Sequence, residues 1–293
     1  MELFRTVDAM QAHADAARRD GQTLALVPTL GALHEAHLAL VRRAIEEADH
    51  VTVSIFVNPT QFGPDEDYDE YPRDLEGDRK KLEALDVDAL FAPSVEEMYP
   101  YADDEALPGP LAWVDVERLD DHLCGAYREG HFRGVTTVVT KLFHACKPDV
   151  AVFGKKDAQQ YVIIQRLVDD LLLDVEIVGV PTVRESDGLA VSSRNTYLNE
   201  RDREQAPVLH EAVTAAREAI ERGEQAPDTV VEAMDEVLAT APDGEVEYAS
   251  VVDANTLQPT DYLAPGQEVL VAVAVYFGET RLIDNDFVRV PAS

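Results

Sequence analysis

The sequence contains few cysteines, few lysines and no long apolar stretch, and each of these features excludes a class of protein. Only Cys124 and Cys146 occur in 293 residues, without C-x-x-C spacing, which excludes a disulfide-stapled scaffold. No apolar run reaches the 18 residues of a membrane span, and charged residues interrupt the N-terminal segment that a signal peptide would keep apolar. We therefore expect a cytoplasmic protein that does not enter a membrane.

Basic residues are far fewer than acidic residues. There are 25 lysines and arginines against 57 acidic residues, a formal net charge of −32. Duplex nucleic acid is therefore excluded as a partner, because binding its phosphates needs a basic surface. The acidic residues are spread along the chain, and their mutual repulsion is screened only in concentrated salt. We predict adaptation to a salty interior, with unfolding in low-salt buffer.

Strand-like and helix-like segments alternate through the first two thirds of the chain. Buried strands are predicted at 23–29, 50–58, 88–93, 149–154 and 174–181, with helical periodicity between most of them and an amphipathic helix at the N-terminus. Such alternation predicts βαβ units and a parallel sheet. Near residue 182 the pattern changes to long helices followed by three strands. We predict a Rossmann-like α/β domain over 1–181 and a smaller α+β domain over 182–293 that acts as a lid.

The segment PTLGALHEAH, residues 28–37, follows the first predicted buried strand and carries two histidines three positions apart. His34 and His37 share one helix face, so they could bind a metal, sit in the core, or face the phosphates of a nucleotide. Zinc is disfavoured because the spacing is not that of H-E-x-x-H and no cysteine lies nearby. The position between a strand and a helix favours phosphates, since free N–H groups collect there.

Three further segments carry polar groups at similar places. Asn58 and Gln61 follow the second buried strand, in a turn that by itself is often only a turn. FGKKDAQQY, residues 153–161, follows another strand, and four of the six lysines lie between 141 and 156, which suggests a held anion. VRESDGLAVSSRN, residues 183–195, offers phosphate-binding groups on a loop that could close over a nucleotide.

Together with HFRGVTTVVTKLF, these ordered segments resemble the pantothenate synthetase (pantoate–β-alanine ligase) family of the H-x-G-H nucleotidyltransferase superfamily. The resemblance covers nearly all of residues 20–200, with a further similar segment, FGETRLIDN, near the end. It implies ATP-dependent condensation of pantoate with β-alanine through a pantoyl adenylate, releasing pyrophosphate and then AMP. It also implies a homodimer and a magnesium ion that bridges the ATP phosphates.

The resemblance assigns roles to particular residues. His34, His37 and Lys156 are the implied catalytic residues, and Asp78 is a candidate magnesium ligand. The remaining assignments are Leu30, Gly154, Asp157, Val183, Ser192, Ser193 and Arg194 for ATP, and Asn58, Gln61 and Gln160 for pantoate. Arg184 and Lys155 would add positive charge around the two anionic substrates.

The sequence departs from the family pattern at three positions. Leu30 replaces a methionine at little change in volume, and Lys155 replaces an acidic residue beside Lys156. Ala36 replaces the glycine of H-x-G-H, and its methyl group would cost about 1–3 kcal/mol if the main chain there packed against the base.

Two other functions fit parts of the pattern. One is a nucleotidyltransferase that has no amine acceptor, against which the two pantoate-type glutamines argue. The other is an inactive nucleotide-binding module, against which both histidines, Lys156 and the SSRN segment argue.

Overall fold

The computed structural model describes residues 1–64, 66–102, 106 and 109–292, which divide into two compact units. The first unit comprises Met1–Glu117, Arg128–Lys155 and Ile163–Pro181. The second comprises Arg118–Tyr127, Lys156–Val162 and Thr182–Ser293. Two short segments that precede residue 182 thus group with the C-terminal residues. The lid role of residues 182–293 stays a prediction.

The first unit is built on a parallel sheet, as the alternating pattern predicts. Its six strands among the described residues are β1 (Glu2–Phe4), β2 (Leu24–Thr29), β3 (His50–Ile55), β4 (Ala89–Phe91), β5 (Val150–Gly154) and β6 (Glu176–Val180). They lie in the order β1-β4-β3-β2-β5-β6, and every adjacent pair is parallel. The chain moves outward from β2 to β3 and β4, then returns to place β5 on the other side of β2. Ligands of open α/β sheets bind at such a reversal, beyond the carboxyl ends of the strands.

The N-terminus differs from the predicted single helix. Glu2–Phe4 forms the edge strand β1, with Leu3 paired to Leu90, and the first helix begins only at Val7. The strand ends at Phe4, and Thr6 caps the helix by accepting a hydrogen bond from the Ala9 N–H at 3.4 Å. A three-residue strand is too short for its alternation to be distinguished from a helical pattern.

Most of the helices lie at the predicted places, but two short ones, Val95–Met98 and Cys124–Tyr127, are not among the predicted elements. They are α1 (Val7–Arg19), α2 (Glu35–Glu47), α3 (Leu75–Glu83), α4 (Val95–Met98), α5 (Cys124–Tyr127), α6 (His131–Cys146), α7 (Ala158–Leu171), α8 (Glu200–Gln205), α9 (Val208–Glu221) and α10 (Pro227–Leu238). Short 3-10 turns lie at Pro59–Gln61, Lys155–Asp157 and Ser193–Tyr197. None of the helices in the described residues is long and apolar enough to cross a membrane.

The cores explain why the strand sequences are so apolar. Val27, Val53, Leu90 and Val152, from four neighbouring strands, are fully buried where helices cover the sheet. The second unit has its own core under an antiparallel sheet of β7 (Gly244–Asp253), β8 (Glu268–Phe277) and β9 (Thr280–Arg289), with α9 and α10 packed on it. The predicted fold class, a Rossmann-like sheet followed by an α+β unit, is confirmed.

Candidate active site

The turn between β2 and α2 carries the two histidines and has an unusual backbone. Gly31 and Ala32 both adopt positive φ angles, +92° and +51°. Thr29 supports the turn from the strand side, since its hydroxyl accepts from the Gly31 N–H at 3.2 Å and donates to the Ser54 carbonyl at 2.8 Å. His34 is then the N-cap of α2 in an extended conformation. The turn therefore delivers both histidines to the N-terminus of a 13-residue helix.

The rings of His34 and His37 stack, with centroids 4.0 Å apart and planes inclined by 25°. The His34 backbone N–H donates to His37 Nδ1 at 3.3 Å. An accepting Nδ1 places the proton of a neutral imidazole on Nε2, so this contact selects the tautomer in which His37 Nε2 is a donor. Together with the helix N-terminus, that donor suits a phosphate oxygen.

Asn58 and Gln61 lie in the turn after β3, where the α6 backbone approaches closely. Asn58 has no exposed surface, and its amide N–H groups donate to Gln61 Oε1 at 3.1 Å and to the Gly134 carbonyl at 3.2 Å. Its Oδ1 accepts from the Tyr99 hydroxyl at 2.8 Å. Asn58 therefore orients the Gln61 side chain, and the direct substrate contact predicted for Asn58 stays a prediction. A Cβ on Gly134 would lie 2.2 Å from the Thr60 carbonyl oxygen, so the close approach requires glycine.

A second network, which sequence reasoning missed, also supports Gln61. His131 Nδ1 donates to the Gln61 carbonyl at 2.7 Å, and its Nε2 accepts from Arg128 at 3.0 Å. Arg128 in turn binds both carboxylate oxygens of Glu66, at 2.7 and 2.6 Å. Burial opposes the charged form of Glu66, yet the Arg128 guanidinium lowers the pKa of this carboxyl below its ordinary value. His131 is the first residue of the segment HFRGVTTVVTKLF, but sequence spacing alone does not show which loop its side chain contacts.

Gly154 ends β5 beside β2 and has no packing partner that requires glycine. A Cβ built there would meet only Leu40 Cδ2 of α2, at 3.9 Å. Its φ is not in the left-handed region, so neither strain nor crowding within the protein explains the residue. A glycine with open space above a strand end leaves room for a ligand to approach the backbone.

Leu30, the other ATP-site prediction in this unit, lines a cavity of about 260 Å³ beyond the ends of β2, β3 and β4. Arg73 and Asp78 also line this cavity. The Arg73 guanidinium already donates to the carbonyls of Asp69, Tyr71 and Tyr68. The cavity wall is thus mainly apolar, and Arg73, one of its polar residues, already has hydrogen-bond partners in the protein.

Asp78, the candidate magnesium ligand, is 1% exposed on α3. Its Oδ1 accepts from the Leu33 N–H at 2.8 Å and lies 3.4 Å from Lys81 Nζ. Within the described part of the chain, no three histidine, cysteine, aspartate or glutamate side chains are grouped as a metal would need. An ammonium group beside the carboxylate disfavours a divalent cation there, so Asp78 does not fit the role of a magnesium ligand.

Two of the four clustered lysines have structural partners. Lys147 forms an ion pair with Asp15 at 2.6 Å, and Lys141 lies 5.0 Å from the centroid of the Tyr99 ring. Burial lowers the pKa of Lys141. The anion-binding interpretation therefore does not extend to these two lysines.

In the second unit, Lys156, Asp157 and Gln160 lie around the start of α7. Lys156 Nζ is 3.9 Å from Asp157 Oδ1, and the Lys156 carbonyl accepts from the Asn285 amide at 2.5 Å. The neighbouring Gln159 is buried, and its amide donates to the carbonyls of Leu119 and His122 at 2.8 Å each. The structure thus separates two adjacent glutamines, since Gln159 holds the 118–127 segment while Gln160 is only half-buried.

The loop over residues 183–197, also in the second unit, carries four predicted ATP-binding residues. Ser192 caps the 3-10 turn Ser193–Tyr197, with its hydroxyl accepting from the Arg194 N–H at 3.3 Å. Val183 pairs with Val191 through a 2.9 Å main-chain hydrogen bond at the base of the loop. These residues therefore stand on an ordered turn.

Arg184 does not add free positive charge to this loop, contrary to expectation. Its guanidinium forms two hydrogen bonds with the buried carboxylate of Asp284, at 2.6 and 2.9 Å. Arg203 binds Glu185 and Asp187, each at 2.7 Å. The loop is thus held by ion pairs on several sides.

Comparisons with known proteins converge on one family. A family model described as pantoate-beta-alanine ligase matches residues 2–287. The pantothenate synthetase of Salinibacter ruber is 82% identical over 291 residues, covering 99% of both chains. That of Heliobacterium modesticaldum is 51% identical over 290 residues, covering 99% of this chain and 100% of its own.

Solved structures agree with the sequence comparisons. Pantothenate synthetase from Thermus thermophilus shares 45% identity at a TM-score of 0.87, over 98% of this chain and 99% of its own. Pantoate-beta-alanine ligase from Francisella tularensis, crystallised with beta-gamma ATP and β-alanine, shares 32% identity at a TM-score of 0.76, over 98% and 97%.

Proposed function

Because the chain belongs to the pantoate–β-alanine ligase family, we propose that it condenses pantoate with β-alanine at the expense of ATP, giving pantothenate, AMP and pyrophosphate. The observation that carries this proposal is the family match across residues 2–287 in a chain that presents both histidines at the N-terminus of α2. The same observation argues against an inactive nucleotide-binding module.

The first chemical step joins two anions, so it depends on positioning and charge stabilisation. A pantoate carboxylate oxygen bonds to the α-phosphorus of ATP while the bond from that phosphorus to the bridging oxygen breaks, releasing pyrophosphate. His37 Nε2–H, His34 and the N-terminal N–H groups of α2 are proposed to stabilise the charge on the phosphates. Lys156 is proposed to steady the transferring group as a cation.

The second step forms the amide. The β-alanine amine attacks the acyl carbon of pantoyl adenylate, the bond from that carbon to the phosphate oxygen breaks, and AMP departs as the nitrogen loses a proton. Gln61 and Gln160 are proposed to hold pantoate through its hydroxyl and carboxylate groups. Asn58 and His131 keep Gln61 oriented through its side chain and its carbonyl respectively.

The ATP-binding assignments are proposals that different features support. The open space at Gly154 suits close approach of adenosine, with Leu30, Asp157 and Val183 as further contacts. The 3-10 turn that Ser192 caps supports the proposal that three residues bind the triphosphate, namely Ser192, Ser193 and Arg194. Ala36 lies in the first turn of α2, between the two histidines, and both histidines are retained.

Magnesium would enter with ATP and would offset the charge of its phosphates, because Asp78 does not fit as a protein ligand. A homodimer in the cytoplasm is likewise a proposal, which the family resemblance supports.

The decisive experiment is an assay in high salt with ATP and pantoate, with and without β-alanine, following AMP and pyrophosphate. The proposal expects AMP formation that requires both substrates, and pyrophosphate exchange with pantoate alone. Nucleotide transfer without an amine product would favour the other nucleotidyltransferase chemistry. ATP binding by a folded chain without turnover would overturn the proposal.

Adjacent lysines provide a matched control for this assay. Lys156→Gln is expected to lower kcat about 10²-fold or more, in the range seen when one stabilising donor is removed, whereas Lys155→Gln should change it far less. Because the chain carries a net charge of −32, the apparent KM for ATP should also fall as salt rises to about 1 M. A rising KM in folded enzyme would contradict the electrostatic part of the proposal.

A further inference from the structure

The peptide groups on either side of Leu33 are both held by helix α3. Asp78 Oδ1 accepts from the Leu33 N–H at 2.8 Å, and Lys81 Nζ donates to the Leu33 carbonyl at 2.6 Å. The carboxylate and the ammonium are themselves 3.4 Å apart. Leu33 directly precedes His34, so the first fixed point before the histidine pair comes from a helix more than 40 residues away in sequence.

The turn that Leu33 ends is supported on its strand side by Thr29, whose hydroxyl accepts from the Gly31 N–H, and α3 supports it on its helix side. Gly31 and Ala32 both have positive φ angles, and for alanine this conformation is unfavourable. Strained backbone persists where surrounding contacts over-determine it. The contacts of α3 supply that restraint at the point where the chain leaves the left-handed region and enters α2.

The burial of Asp78 also indicates that its carboxylate supports the turn. A carboxylate that is 1% exposed needs a paired charge and hydrogen bonds, and Lys81 and the Leu33 N–H provide them through Oδ1. Asp78 Oδ2 is buried without a hydrogen-bond partner, and it lies 3.4 Å from where a Cβ of Gly31 would be. The carboxylate thus faces the strained turn on one side and the lysine on the other.

We propose that Asp78 and Lys81 are positioning residues that fix the main chain of Leu33 and thereby hold His34 and His37 in place for the transfer of the adenylyl group. Asp78 acts through the turn and does not bind magnesium. This inference rests on the proposed role of the two histidines, but the geometry that carries it lies entirely within the first unit.

The test compares Asp78→Asn, Lys81→Met and the double variant with Lys80→Met, which removes a neighbouring exposed lysine from the same helix. ATP–pyrophosphate exchange is measured at varied pantoate and varied free Mg²⁺. We expect Asp78→Asn and Lys81→Met to lower kcat about 10- to 100-fold, since small displacements of catalytic groups have effects of this size. The KM for pantoate and the Mg²⁺ concentration for half-maximal rate should stay unchanged.

Coupling and metal dependence separate positioning from the alternatives. The double variant should be about as slow as the slower single variant, because both residues hold the same peptide groups. A tenfold or larger rise in the Mg²⁺ requirement of Asp78→Asn, with Lys81→Met unaffected, would overturn the proposal in favour of a metal ligand. Equal kcat in Lys81→Met and Lys80→Met would also overturn it.

A structural measurement keeps this test separate from that of the reaction itself. The NMR signals of the His34 and His37 rings, and hydrogen exchange at the backbone amides of both residues, should change in Lys81→Met and not in Lys80→Met. If the wild-type chain formed no pantothenate, the proposed function would fail while this comparison still decided the role of α3. Unchanged histidine signals in a folded Lys81→Met variant would refute the positioning role.

Discussion

Two segments carry most of the residues proposed to hold the ATP phosphates, and different forces hold each of them. The β2–α2 turn, residues 30–37, has positive φ angles, and its main chain donates a hydrogen bond to buried Asp78 and accepts one from Lys81. The loop 183–197 has a positive φ angle only at a glycine, Gly188, and is fixed by ion pairs from Arg184 and Arg203.

This difference predicts how each segment should respond to the salt concentration. Salt hardly affects hydrogen bonds to a buried main chain, so the β2–α2 turn should keep its shape at every ionic strength at which the chain is folded. The ion pairs of the loop range from one with a buried carboxylate, that of Asp284, to pairs with half-exposed side chains around Arg203. Only the exposed pairs should weaken with salt. The loop therefore has one strong attachment and several weak ones.

Arg184→Met should have the largest effect on stability. It would leave the Asp284 carboxylate, 1% exposed, without its cation, and breaking a buried pair in this way costs about 3–5 kcal/mol. The free energy of unfolding by urea should fall by that amount at every salt concentration at which the wild-type chain is folded. A loss below about 1 kcal/mol would show that the loop has no strong attachment.

Gly31→Ala should have an intermediate effect, in the other segment. Its Cβ would lie 3.0 Å from Ile55 Cγ2 in a residue with φ of +92°, so strain and crowding together should cost about 1–3 kcal/mol and lower kcat. Gly21→Ala is the matched control, because Gly21 has a φ of +78° but nothing within 4 Å of the added Cβ. Equal losses in the two variants would mean that close packing does not restrain the β2–α2 turn.

Arg203→Met should have the smallest effect. It removes the pairs with Glu185 and Asp187, whose side chains are substantially exposed, and such pairs contribute about 0.2–1 kcal/mol. In 1 M salt the difference from wild type should disappear, because the Debye length falls to about 3 Å. A loss of unfolding free energy that persists in 1 M salt would show that the Arg203 pairs, like the Arg184 pair, are not weakened by salt.

The ion pair between Arg203 and Asp187 also makes stability depend on pH, and the pKa shift of Asp187 gives the sign of that dependence. The hydrogen bond from Arg203 lowers the pKa of Asp187 below its ordinary value of 3.8. Because the folded-state pKa is the lower one, the stabilisation is complete above the unfolded pKa and is lost as pH falls through the folded pKa. Arg203→Met should remove this part of the acid sensitivity, measured as unfolding free energy between pH 5 and pH 3.

Much of the fold could be predicted because its signals are local. The central strands β2, β3 and β5 are nearly continuous apolar runs bounded by turn residues, and the helices between them keep a 3.6-residue period. The order of strands and helices then requires a parallel sheet with polar segments at its carboxyl ends. Strand β1 could not be predicted because three residues, Glu2–Phe4, are too few to show a period.

The candidate site was predictable as a set of segments but not residue by residue. Gln159 and Gln160 are identical in type and adjacent, and only packing against 118–127 makes the first a buried structural residue. Asn58 follows its strand as a ligand-binding residue would, yet α6 and Tyr99 enclose it completely.

The sequence by itself determined the alternation of strands and helices, the strongly acidic character and the positions of His34 and His37 after a buried strand. These follow from composition and from periods of two to four residues, which are properties of neighbours along the chain. Only the tertiary structure decided that Asp78 and Lys81 hold Leu33, and that Asp284 neutralises Arg184. Such partners come from distant segments, and whether a charged group meets one depends on how the core packs.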